Sequence, residues 1–409
     1  VELPAEGTFR TQVMGCDVVG KTIAERSCTR RLEEGIPRSF RLLGSAPGVV
    51  TPSSNVVSTI IADSVRETMD VQKRWGAPKM KGVSGKEPWH AWQRGLEGLT
   101  KGTSGFPQHE VVRAAEDYFL PLMKRSDLKM WKEQLRPLTL KETLNGIPGR
   151  RFVDAMAWNT SIGFPFAGAK DRYFPVVDAV RTLGPEMKQE VEFLMDYYLT
   201  GQRGYTIFKA TLKDEVVNEA KDKVRVFQAA PAGFQVLVRK YFLPLCRFLS
   251  FNPFLSECAV GINPYGTEWG ELHDHLTQFG EDKMIAIDYK SFDQTMHSQA
   301  TTIVLDRLIA IARRHGYSKE DETVMRGIMA DIVWPTCAYN GDLIVLHQSN
   351  PSGHNLTTYV NSMVNSVYHR IVYYRMYDTD TPFRDICALI TYGDDALSGV
   401  KNGWEKFNG

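Results

Sequence analysis

Three carboxylates at positions 288, 394 and 395 are placed where chemistry can happen. Asp288 closes the apolar run Met284–Asp288, and Asp394 and Asp395 sit in the turn between two β-prone runs, Cys387–Tyr392 and Ala396–Val400. Apolar runs flanking a Gly-Asp-Asp turn predict a hairpin. Like charges brought together hold each other's ionisation back, and a divalent cation is the usual remedy. Carboxylate oxygens are hard ligands that suit Mg²⁺ or Mn²⁺ rather than zinc. Two such ions about 4 Å apart can hold the attacking and leaving oxygens of an in-line phosphoryl transfer. The bland alternative is that each acid merely ends a strand or makes a turn. A Gly-Asp-Asp triplet arises by chance in about one chain in ten of this length, so the neighbouring spacings decide.

Those spacings are specific. An apolar strand leads into D-x4-D, here Asp288-Tyr-Lys-Ser-Phe-Asp293. S-G-x3-T-x3-N follows as Ser352-Gly353-His-Asn-Leu-Thr357-Thr-Tyr-Val-Asn361, and then Tyr392-Gly393-Asp394-Asp395. In this order they resemble motifs A, B and C of a polymerase palm. From about residue 135 onward the chain resembles the RNA-dependent RNA polymerases of positive-strand RNA viruses, in the picornavirus-like order. The resemblance implies that Asp288 and Asp394 are the main metal ligands, with Asp395 assisting, for two Mg²⁺ ions that Mn²⁺ could replace. It implies that Asp293 and Asn361 read the ribose 2′-hydroxyl of an incoming NTP. Ser352 and Gly353 would belong to a flexible loop near nucleotide and template, with Thr357 beside them. An acid at 293, where an aromatic would block the hydroxyl, favours ribonucleotides. The tetrad Tyr392-Gly393-Asp394-Asp395 fits RNA polymerases better than the usual reverse-transcriptase variant.

Thr357, Asn361 and Asn365 fall at i, i+4 and i+8, one polar stripe of a helix beside the apolar set Leu356, Val360, Val364 and Val367. Buried polar residues need partners, and a ribose hydroxyl would serve; ordinary helix-surface polarity is the plain alternative. Residues 201–250 hold nine Lys/Arg against four Asp/Glu, a local charge of +5. Within them Lys213-Asp214-Glu215 and Lys223-Val224-Arg225 resemble motif F, which lies over the triphosphate; a solvated hairpin of mixed charge is the alternative. Arg239, Lys240 and Arg247 are weaker candidates that could simply be surface. Thr160, Ser161 and Gly163, within Asn159–Phe166, resemble motif G, which guides the template; read without the resemblance, they form a turn.

The elements that must position these residues are mixed. Predicted helices cover Asn55–Lys73, His109–Lys124, a short piece of 135–149, Val177–Leu199, Ser298–Arg314 and Leu356–Tyr374. Strands are expected at Met284–Asp288, which reads as buried, and at Leu343–His347, Cys387–Tyr392 and Ala396–Val400. Residues 1–55 read as an irregular strap and 76–107 as a basic, loop-dominated stretch. An α/β (α+β) right hand is expected, its sheet small and partly antiparallel. Its fingers would span 1–245 and 298–343 and its palm 246–297 and 344–409. The resemblance places further palm elements and a thumb after Asp395, so a missing thumb and a weak or inactive isolated chain are expected.

The 409 residues are 43% hydrophobic and 24% charged, with a net charge of +1, which excludes a disordered chain, a collagen-like fibre and a coiled coil. No run is long and apolar enough for a membrane span. The cysteines at 16, 28, 246, 258, 337 and 387 are scattered, which favours free thiols over a disulfide framework. Gly15–Thr22 fits the phosphate-loop pattern G-x4-G-K-[ST], so a P-loop NTPase is the rival function. It lacks a good preceding strand, and it leaves the three palm motifs unexplained. A non-catalytic RNA-binding scaffold would have lost a metal-binding acid, whereas all three remain. The resemblance further implies RNA template and primer, NTPs, a genome-linked protein primer, other viral replication proteins, and work at replication membranes in the host cytoplasm.

Overall fold

The computed structural model describes residues 7–13, 16–22, 40–46, 54–80, 90–220 and 224–407. Its main core is built by the helices Gln108–Ser126, Ala232–Ser250, Ser298–Arg313, Lys319–Val333 and Thr357–Tyr377. Each contributes residues that water does not reach, among them Tyr118, Phe234, Val304, Ile328 and Val360. Val304, Leu308 and Ile311 form the buried stripe expected of the Ser298–Arg313 helix. Ser318 and Asp321 close the start of the next helix with a reciprocal capping box.

Two sheets lean on this helical core. The smaller has three antiparallel strands in the order Met284–Ile287, Asp395–Val400, Cys387–Tyr392. The larger has five, in the order Phe40–Ser45, Asp342–Leu346, Thr336–Tyr339, Ile207–Leu212, Val226–Ala229, with one parallel pairing in its middle. The boundary expected at 343/344 falls inside the Asp342–Leu346 strand, which pairs on both sides within this second sheet.

Several local expectations are corrected. Met284–Ile287 is not a buried strand: it is an edge strand, and its side chains alternate between exposed and half-buried. The helix expected over Val177–Leu199 begins only at Pro185. Val176–Val177 and Val180–Arg181 form a tight hairpin before it, and proline's fixed φ suits the first helical turn. The basic stretch 76–107 contains a helix, His90–Thr100, with Trp92, Leu96 and Leu99 buried. Its Gly95 and Gly98 hide it from propensity, yet a Cβ on Gly95 would lie 2.6 Å from the Tyr339 hydroxyl, so packing requires the glycine. The helix expected over Asn55–Lys73 shrinks to Ala62–Met69 and buries no side chain. Residues 1–55 are not wholly irregular, since Gly7–Val13 pairs with Cys16–Thr22 and Phe40–Ser45 joins the larger sheet. Cys246, Cys258, Cys337 and Cys387 are free and buried.

Candidate active site

The three-stranded sheet brings the acids together through its register. Ile287, the last paired residue of its strand, stands opposite Ala396, so Asp288 follows that pair directly on one strand and Asp395 precedes it directly on the other. In the hairpin, Tyr392 faces Asp395 across a turn in which Gly393 takes a φ of +68°, a conformation that suits glycine. Asp395 is held above the ordinary carboxylate range by burial, and further by the negative charges of Asp394 and Asp288. Asp293 is raised first by burial and then by Asp394, while Arg225 opposes the shift. These influences link all four carboxylates and the Arg225 guanidinium in one electrostatic neighbourhood. Among the described residues, no group of three or more His, Cys, Asp or Glu side chains forms a ready-made metal cage.

The Thr357–Tyr377 helix clamps the turn. Asn365 Nδ2 donates to the carbonyls of Gly393 (3.2 Å) and Asp394 (3.1 Å). Ser362 Oγ accepts from the Gly393 amide at 2.9 Å. Behind the turn, the Thr391 hydroxyl donates to the Glu257 carbonyl at 2.6 Å. The Glu257 carboxylate makes two 2.7 Å bonds to Arg370 on the same helix, and Arg370 also donates to Asp117 at 2.6 Å. Arg384 closes this buried network with a 2.8 Å contact to Glu257.

The polar stripe divides its work. Thr357 Oγ1 donates into its own loop, toward the Pro351 and His354 carbonyls. Asn361 Oδ1 accepts from Asn350 Nδ2 at 2.7 Å. Asn365 Nδ2 is spent on the turn, while its buried Oδ1 has no hydrogen-bond partner among the described residues. Gly353 bridges to Ala229, and a Cβ there would lie 2.3 Å from the Gln228 carbonyl. Its own carbonyl accepts from Ala230 N and Gln235 Nε2, and Ser352 leans on Gln228 Oε1 at 3.5 Å. The Ser352–Gly353 loop is thus tied to the larger sheet.

Lys213 and Arg225 extend the hairpin of that sheet, joined by the Lys213 amide to the Arg225 carbonyl at 2.8 Å. Both side chains contact Glu215, at 2.8 and 3.6 Å. Lys223 lies outside the described residues. Thr160 and Ser161 are exposed; Lys170 donates to the Thr160 hydroxyl, and Ser161 Oγ accepts from the Gly163 amide at 3.3 Å. Gly163, with φ +85°, is buried against Pro231, so its close approach is to the protein itself. Arg239 is not surface: it is buried and donates to the carbonyls of Thr143 and Asp154. Arg247 donates to the Arg151 carbonyl and to Gln134, which makes it a cross-link as well. In the rival phosphate-loop segment, Cys16–Thr22 is a strand, with Lys21 paired to Thr8. A loop opening a helix is what phosphate binding there would need.

Sequence reasoning missed Asn350, Gln228 and the Glu257–Arg370 pair. Asn350 is buried in a segment without periodicity, and its amide donates to the Asp293 carbonyl at 2.8 Å. A polar residue just ahead of Pro351-Ser352-Gly353 was the available signal.

The family model described as viral RNA-dependent RNA polymerase matches residues 81–406. The chain is similar to the replicase polyprotein of Drosophila C virus (strain EB), at 29% identity over 335 residues, covering 75% of this chain and 19% of that polyprotein. It is similar to the replicase polyprotein of Cricket paralysis virus, at 28% over 298 residues, covering 65% of this chain and 16% of that one. The RNA1 polyprotein of Cowpea mosaic virus is 25% identical over 330 residues, with 74% of this chain and 18% of that one covered. The chain spans less than a fifth of the length of these curated relatives. Among solved structures, the Sicinivirus 3Dpol RNA-dependent RNA polymerase superposes with a TM-score of 0.68 at 20% identity, covering 87% of this chain and 70% of that chain. The mixed α/β architecture is therefore that of a right-hand polymerase.

Proposed function

Since this chain belongs to the viral RNA-dependent RNA polymerase family, we propose that it carries the nucleotidyl-transfer centre of a picornavirus-like polymerase that copies RNA from NTPs. The observation that carries this reading is the register that ends with Ile287 opposite Ala396, which leaves Asp288 and Asp395 adjoining the last pair, with Asp394 and Asp288 acting electrostatically on Asp395, and Asp394 and Arg225 on Asp293. Larger fingers (1–245 and 298–343) and palm (246–297 and 344–409) remain part of the proposal, with the inner boundary adjusted to keep the Asp342–Leu346 strand whole.

In the proposed reaction a primer 3′-hydroxyl attacks the α-phosphorus of an NTP paired to the template, and pyrophosphate leaves. The donor set fits Mg²⁺, with Mn²⁺ as a substitute: hard carboxylate oxygens at one end of the three-stranded sheet, where burial first and then the neighbouring carboxylates hold Asp395 up. Mg²⁺ is commonly held by one or two carboxylates plus substrate phosphates, which suits a site without a closed cage. Asp288, Asp394 and Asp395 would hold two ions, which would supply nucleophile activation and stabilisation of developing charge. Lys213, Lys223 and Arg225 would offset the triphosphate charge. Asp293 would accept from the ribose 2′-hydroxyl, and Asn361 would complete that recognition. Ser352, Gly353 and Thr357 would shape the nucleotide floor, and Thr160, Ser161 and Gly163 the template entry.

RNA template and primer are the proposed partners, with a genome-linked protein primer and other replication proteins at host cytoplasmic replication membranes. Among the described residues, no helix is long and apolar enough to cross a membrane. The test is primer extension by the full-length polymerase carrying this chain. Extension should need a primed RNA template and a divalent cation, should stop with chelator, and should survive Lys21→Ala. NTP hydrolysis without template that is lost in Lys21→Ala would favour the P-loop reading instead.

A further inference from the structure

We propose that His354 and Asn350 form a hydrogen-bond relay that fixes which end of the Asn361 amide faces the nucleotide, making both positioning residues for ribose selection. The chain of bonds sets its own polarity. The Leu356 amide donates to His354 Nδ1 at 3.2 Å, so Nδ1 carries no proton. Burial pushes the His354 ring down to about 3, so it stays neutral and its single proton sits on Nε2. Nε2 then donates to Asn350 Oδ1 at 2.9 Å. With its oxygen engaged, Asn350 can offer only Nδ2, which donates to Asn361 Oδ1 at 2.7 Å and to the Thr357 carbonyl at 3.3 Å. Asn350, His354 and Asn361 are each at least nine-tenths buried, so water does not compete for these bonds.

The consequence lies at the far end. Among the described residues, the Asn361 side chain makes only the bond its oxygen accepts. Both hydrogens of Nδ2 are left for a ligand. Asp293 offers an acceptor, and its carbonyl is tied to the amide of the same Asn350 at 2.8 Å. A 2′-hydroxyl has one hydrogen to give and lone pairs to receive. It can donate to Asp293 and accept from Asn361 only if Asn361 presents nitrogen. A flipped amide would set two acceptors against one hydroxyl hydrogen, and the advantage of a ribonucleotide over its 2′-deoxy counterpart would shrink.

The proposal rests on the reading of Asp293 and Asn361 as ribose sensors, so the experiment separates the two. The ratio of kcat/KM for ATP over 2′-deoxy-ATP is measured in single-nucleotide addition by the full-length polymerase. Asn350→Asp is nearly isosteric but replaces the donor with an acceptor, which forces Asn361 to turn. The ratio should fall about tenfold, the weight of one hydrogen bond. His354→Leu, which removes the relay's first donor, should fall similarly, whereas His354→Gln, which restores a terminal N–H, should recover most of the loss. If Asn361→Ala lowers the ratio while Asn350→Asp and His354→Leu keep it, the relay is overturned and the ribose reading stands. His354→Gln as impaired as His354→Leu also overturns it. If Asn361→Ala keeps the wild-type ratio, the ribose reading falls and takes the relay with it.

Discussion

Asn365 illustrates how far residue type and spacing lead. Its place in the polar stripe marks it as a buried group in need of partners, and that much is legible from the i, i+4, i+8 pattern. Its partners are two carbonyls of the turn that bears Asp394, about thirty positions away, which no helical pattern can announce. The acids themselves were legible because strand ends and a Gly-Asp-Asp turn are local features. The roles of Asn350 and Gln228 were not, because their partners come together only in the folded chain. If the amide fixes the turn, Asn365→Leu should lower kcat by about 10–100-fold, the range expected when a catalytic group is slightly misplaced. KM for NTP should stay near wild type in steady-state primer extension. A selective rise in KM would place Asn365 in nucleotide binding instead.

At the scale of elements, the helices Gln108–Ser126, Ser298–Arg313 and Thr357–Tyr377 were readable to within a few residues, whereas Ala62–Met69 and Pro185–Leu199 start well after the expected positions, and Ala232–Ser250 and Lys319–Val333 were not foreseen. The His90–Thr100 helix, which carries two glycines, was not readable; the Met284–Ile287 strand was, but not its partly exposed place at the sheet edge. The Pro185–Leu199 helix contains another feature that only packing reveals. Glu190 is buried against Gly233, at the start of the Ala232–Ser250 helix, and neither carboxyl oxygen has a hydrogen-bond partner among the described residues. Burial pushes its carboxyl from 4.5 up to about 8, opposed only weakly by the nearby Gly233 amide, which is not placed for a well-formed hydrogen bond. A raised acid keeps its proton in the native state while the unfolded chain releases it. Stability is therefore greatest below the unfolded value, declines as pH rises, and levels off above about 8. Glu190→Gln should remove that decline, worth on the order of 5 kcal/mol at full ionisation. Melting curves should show the variant well above wild type at alkaline pH and close to it in mild acid. Parallel profiles would contradict the assignment.

At the scale of the whole molecule, distant parts of the sequence are fastened behind the turn that bears Asp394 and Asp395 by one buried ionic network. Arg370 reaches Glu257 across 113 positions and Asp117 across 253, so no local pattern foretells it. Removing one partner strands the other's charge in the core. Glu257→Leu should cost about 3–5 kcal/mol in equilibrium urea unfolding; a cost under about 1 kcal/mol, typical of exposed pairs, would show that the network bears little of the fold. The network and the Asn365 clamp both serve the placement of three carboxylates, and the account depends most on those acids. Single-nucleotide addition by full-length polymerase with Asp394→Asn tests it directly, because the substitution keeps shape and removes charge. The predicted result is a fall in kcat of at least about a thousandfold, as when a principal electrostatic contributor is removed, with nucleotide and RNA binding retained. Synthesis at a rate near that of the wild type would contradict the account.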